Sequence, residues 1–176
     1  MEFGLKSNGG EIKKLERKSS NFLKSKGYSD EVIETQLMIL KELIISCKEF
    51  DDPRTSEFEM SVQLHLEDDA ITLEVKKPVC ESDCGKLEEL DKTIQWIRGY
   101  QDPLEPYMTN FAEASGVSHI AETNGLGLAR IAHESDAIID FYVNEDNVLN
   151  LSAVSNLSAE KLKQYHYNLL TIQEQQ

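Results

Sequence analysis

From Glu57 to Lys76 apolar and polar side chains take turns. Phe58, Met60, Val62, Leu64 and Leu66 alternate with Glu57, Glu59, Ser61, Gln63, His65 and Glu67, and after Asp68-Asp69 the residues Ile71, Leu73 and Val75 alternate with Thr72, Glu74 and Lys76. A repeat of two sends successive side chains to opposite faces of a strand, so the pattern predicts a β-hairpin over 57–67 and 70–77 with one apolar and one wet face. Pro78 stops the second strand. His65 falls on the wet face, which makes it a solvated residue and not a ligand.

The apolar face needs a cover, and the segment before the hairpin supplies one. Ser29 can N-cap a helix from Asp30 to Phe50, with Asp30 and Glu31 complementing its dipole. Val32, Ile33, Leu37, Leu40, Ile44 and Cys47 form its stripe, widened by Met38, Leu43 and Ile45, so most of the helix should be buried. Met60, Val62, Leu64, Leu73 and Val75 should then point at Leu37, Leu40 and Ile44. Asp51, Asp52 and Pro53 end the helix. A more modest helix, Glu11 to Lys26, precedes it and stops at Gly27 in the C′ position. Residues 1–10 read as a loose end or a short edge strand.

In the second half Thr123 to His133 reads TNGLGLARIAH. Gly125 and Gly127 stand before Leu128, Ile131 and Ala132 at helical spacing, so a loop without Cβ bulk should run into a helix N-terminus. Free N–H groups and a positive dipole end there suit phosphate. Tight packing of the loop on a neighbour is the alternative use of the same glycines. Ile138 to Val143 and Val148 to Val154 read as a second hairpin around Glu145-Asp146-Asn147, near 137–144 and 147–154. Ser158 can cap a last helix with Leu162, Tyr165, Leu169 and Ile172 on one side. The order helix, helix, hairpin, irregular helical stretch, glycine turn and helix, hairpin, helix fits an α+β two-layer sandwich: a mostly antiparallel sheet of four strands or slightly more, with helices on one face.

The length, 176 residues, suits one domain with a full core. Eighteen basic against thirty-two acidic side chains give a net charge of −14. That balance repels nucleic acid and anionic membrane, and no Lys/Arg cluster beyond Lys13, Lys14, Arg17 and Lys18 offsets it. No apolar run reaches the eighteen or so residues of a membrane span, and no secretory leader opens the chain, so a cytoplasmic location is expected. Three cysteines do not build a disulfide framework. Cys80 and Cys84 are four apart but lack a second ligand pair, so no metal site is expected.

KELIISCKEF at 41–50 and NGLGLARI at 124–131, in this order of elements, resemble the GHKL family of histidine-kinase-like ATPase domains, with a Bergerat-like fold, and especially its anti-sigma-factor serine-kinase branch. The resemblance covers about 30–154 and makes 1–176 one such domain, with 78–124 a helical insert in the position of the ATP lid. In the family a Glu four residues before a magnesium-binding Asn lies on a buried helix. Here Glu42 and Leu43 match, and Ser46 stands where the Asn would be. The family's Asp-x-Gly-x-Gly adenine motif does not follow the first hairpin, which runs into Lys76, Lys77, Pro78 and Val79. The glycine box is kept.

The resemblance implies Glu42 as general base toward a water or substrate hydroxyl. It implies a phosphate cradle from Asn124, Gly125, Leu126 and Gly127 to Leu128, with Arg130 or Lys77 as the nearby cation and Ser46 as an oxygen donor. ATP and magnesium are the cofactors it would bring. Two functions are open: a regulator of the anti-sigma, partner-switching type that works by contact with a sigma factor or antagonist-like protein and binds ATP weakly or not at all, or an active ATP-dependent serine/threonine kinase of that type. A homodimer is compatible with both. For the contact reading the expected surface is the insert, Lys86 to Gly116, with Trp96, Ile97, Tyr100, Leu104, Tyr107 and Met108, or the exposed side of the first helix. The alternative is that these groups pack on their own domain.

Overall fold

A computed structural model describes residues 2–6, 9–51, 59–67, 69–100, 104, 108 and 124–157. The expected last helix from Ser158, and the part of the insert Lys86 to Gly116 beyond Tyr100, including Tyr107 but not Leu104 and Met108, lie outside the described residues.

The two-residue repeat produces the hairpin. Its strands β2 (Glu59–Leu66) and β3 (Ala70–Pro78) pair antiparallel with Val62 opposite Val75 and Leu64 opposite Leu73. Met60, Val62, Leu64, Ile71, Leu73 and Val75 are all buried, while His65 is exposed. Glu2–Lys6 forms a strand, β1, that runs antiparallel to the outer side of β2. The N-terminal stretch is therefore not loose, because β2 offers a row of main-chain groups that residues 2–6 satisfy. The helix after it, α1 (Gly9–Ser25), starts two residues earlier than expected. It closes as foreseen at Gly27 (φ 84°), where Tyr28 N–H reaches Leu23 O and Gly27 N–H reaches Lys24 O, a Schellman pair.

The covering helix is α2 (Asp30–Lys48), capped by the Ser29 hydroxyl, which accepts from Val32 N–H at 3.3 Å. Leu40, Leu43, Ile44 and Cys47 are buried as expected, each such side chain contributing about 1.5–3 kcal/mol. The phase differs at four positions. Ile39 and Gln36 are buried, whereas Leu37 is only partly buried and Ile45 is 41% exposed. In the nearly continuous apolar run Leu37 to Ile45, interrupted by Lys41 and Glu42, spacing alone leaves the facing side open. Gln36 Nε2 donates to Ser155 Oγ at 3.1 Å, which pins α2 to the sheet near residue 155.

Past β3 a 3₁₀ turn at Glu81–Asp83 leads into α3 (Cys84–Arg98), then come α4 (Asn124–Ser135), β4 (Ile138–Val143) and β5 (Val148–Asn156). The turn between β4 and β5 has Asn147 at φ 56°, a conformation Asn tolerates, and Asn144 caps it by accepting from Val148 N–H and Asp146 N–H. The sheet has five strands in the order β1-β2-β3-β5-β4, every neighbour antiparallel. The expected α+β two-layer sandwich is what forms, one strand wider than four. Leu90, Ile94 and Ile97 of α3 join the core, so this part of the insert packs on its own domain. Trp96 meets Tyr100 edge to face at 5.1 Å, while Leu104 and Met108 are exposed. No helix among the described residues is long and apolar enough to cross a membrane.

Candidate functional site

The glycine box begins inside the helix and not in a loop ahead of it. Asn124 is the first described residue of α4, and Gly125, Leu126 and Gly127 follow it within the helix. Gly127 sits against α2. A Cβ there would stand 2.6 Å from Glu42 Oε2, so glycine at this position lets the two helices approach. Of the two uses of the glycines, close packing is the one visible at Gly127.

Glu42 thus lies across the first turn of α4, its side chain only 14% exposed. Its Oε1 accepts from Arg130 at 3.3 Å, and Arg130 also binds Glu134 at 2.8 Å, one turn along α4. Hydrogen bonding to Glu134 pushes the guanidinium above its usual value against the opposing effect of burial, and Glu42 adds to the rise. The structure brings together Glu42, Gly127 and Arg130. A carboxylate beside the positive end of a helix is itself favourable, so Glu42 already holds the place an anion would seek. Ser46, one turn further along α2, is buried, and the side chain of Asn124 lies outside the described residues.

Lys77 is elsewhere. Its ammonium is fully buried near the C-terminal end of α2 and paired with Asp51, roughly two and a half helical turns beyond Glu42. Asp51 had signalled only the end of α2; nothing in the spacing marked it as the partner of a lysine 26 positions on. Cys47 is beside this pair. Burial pushes its thiol up to about 12, with the Lys77 charge pulling the other way.

The short turn before α3 holds another charged group. Asp83 accepts from Cys80 N–H at 3.0 Å, from the Cys80 thiol at 3.1 Å and from Lys86 at 3.2 Å. Burial by itself raises this carboxyl, and these donors outweigh it, leaving Asp83 below the usual carboxylate value. Cys47, Cys80 and Cys84 are all free thiols, and among the described residues no three His, Cys, Asp or Glu side chains group as metal ligands would.

No protein-family model matches the chain, and no curated protein matches its sequence significantly. Among solved structures its fold is similar to that of a chain in the crystal structure of the SiaB-SiaC complex from Pseudomonas aeruginosa. The TM-score is 0.56 with 14% sequence identity, over 88% of this chain and 88% of that chain, which is a likeness of fold.

Proposed function

We propose that the protein is a regulator of the anti-sigma, partner-switching type, built on a GHKL-like frame and acting by contact with another protein, with weak or no affinity for ATP. The observation that carries this reading is the Glu42 carboxylate pressed against the first turn of α4. A phosphate seated there would meet a half-buried negative charge already tied to Arg130, and like charges at short range in a partly desolvated place repel. Lys77, the other cation proposed for phosphate, is committed to Asp51. Ser46 offers one hydroxyl where the resembling family has an amide. The similar fold occurring in a chain of a two-protein complex supports the contact half of the reading. A sigma factor or an antagonist-like protein is the proposed partner, and the cytoplasm the proposed location.

Calorimetric titration with magnesium-ATP tests it. The expected result is no binding tighter than about millimolar, a standard free energy no stronger than about −4 kcal/mol. Micromolar, magnesium-dependent binding overturns the reading and promotes the kinase alternative. That alternative draws on Glu42, which keeps the family's general-base position, and it requires phosphate transfer that Glu42→Gln abolishes.

A further inference from the structure

We propose that the outer edge of β4 and the hollow beside it receive an extended partner segment of alternating apolar and basic residues, added to the sheet as a sixth strand. This rests on the reading of the protein as one that acts by contact, and it names where. Strand β4 is last in the sheet order, and among the described residues nothing pairs with its outer side. A strand in that position presents main-chain donors and acceptors ready for another chain.

Two of those outward groups are occupied by one ion pair. Arg98 donates to Ile139 O at 2.7 Å, Asp140 accepts from Phe141 N–H at 2.9 Å, and the two side chains meet at 3.0 Å. Strand alternation then turns Val143 N–H outward as well. Both charged side chains are well exposed, 40% for Arg98 and 67% for Asp140, and such pairs hold weakly. An incoming strand can therefore exchange this clasp for ladder hydrogen bonds.

Next to the edge, between α3, α4 and β4, lies a hollow of about 200 Å³ whose apolar lining includes Ile94, Ile97, Ala132, Ala137 and Ile139. It offers room for an apolar side chain from the added strand. Ile138, at its mouth, is 67% exposed. Charge selects the occupant. Asp136 precedes the strand, Asp140 is within it, and Glu145 and Asp146 follow, all exposed, against Arg98 as the one base lining the hollow among the described residues. A second copy of a chain with net charge −14 is repelled by this edge, and a basic segment is drawn to it.

The test uses a fluorescein-labelled decapeptide alternating Val and Lys, and a matched one alternating Val and Glu, followed by anisotropy at low salt. The Lys peptide should bind and the Glu peptide should not. Val143→Pro removes an outward N–H without changing net charge or the β4–β5 ladder, and should weaken binding at least tenfold. Hydrogen exchange on the unaltered protein should show peptide-dependent slowing at Phe141 and Val143, which keeps the test valid if the proline variant unfolds. Failure of the Lys peptide to bind, equal binding by a folded Val143→Pro, or no slowing at these amides overturns the inference. A dimer of the unaltered protein that Val143→Pro dissolves, seen by sedimentation, gives the edge to a second copy and also overturns it. None of these results touches the contact reading, which falls to tight magnesium-ATP binding measured separately.

Discussion

Two ion pairs to aspartate, Lys77–Asp51 and Arg98–Asp140, do different work. Lys77–Asp51 joins the end of β3 to the end of α2 with its ammonium fully buried, while Arg98–Asp140 lies in the open across the rim of β4. Water screens the second pair and competes for it, whereas in the first the ammonium has left water and only the carboxylate keeps partial exposure, 30%. Chemistry is shared, and surroundings decide that one is an anchor and the other a displaceable cover.

Asp51→Ala is the sharpest way to break this contrast. It takes the carboxylate from a buried ammonium and should cost about 3–5 kcal/mol in urea denaturation; a loss below about 1 kcal/mol would put both pairs in one class. Raising pH probes the same region through Cys47. Its thiol resists ionisation in the folded protein, with a value near 12 against 9.0 for an ordinary cysteine, so above about pH 9 the unfolded chain releases a proton that the folded one keeps. Stability should fall from pH 9 toward 12, by on the order of a few kcal/mol, and Cys47→Ala should flatten that slope.

Glu42–Arg130 is intermediate in exposure and should be intermediate in effect. Gly127→Ala pushes the Glu42 carboxylate aside and should be neutral to about 1 kcal/mol destabilising, yet in a Glu42→Ala background it should stabilise by about 0.5–1 kcal/mol, because alanine favours helix once the clash is gone. A zero coupling in that double-mutant cycle would mean the helices are not in contact there. Smallest of all, Arg98→Ala should change stability by no more than about 0.5 kcal/mol, measured in the same urea titration.

Legibility in the sequence followed the range of the interaction. The hairpin, the Ser29 cap, the Gly27 stop and the Asn147 turn each depend on neighbours within a few residues, and each was readable. The face of α2 was harder, because Leu37 to Ile45 is apolar on several sides and only the sheet selects Ile39 over Leu37. At the candidate site the sequence marked Glu42 and Gly127 but not their mutual contact. The resemblance offered Lys77 as an alternative to Arg130 for phosphate, while the partner Asp51 lies 26 residues away, and Arg98 reaches Ile139 across 41. Nothing in local spacing reports partners brought together by the crossover of the chain.

That crossover also orders events in time. The middle of the sheet is the β3–β5 ladder, which joins residues 70–78 to residues 148–156. During synthesis β3 leaves the ribosome long before β5 exists, with β2 on one side and a full row of unmet main-chain groups on the other. Such non-local pairing folds slowly, and a waiting apolar strand is a template for any other nascent chain. The buried Lys77 near the end of β3 suits that interval: its charge makes the exposed strand a poorer seed for aggregation until β5 arrives to cover it.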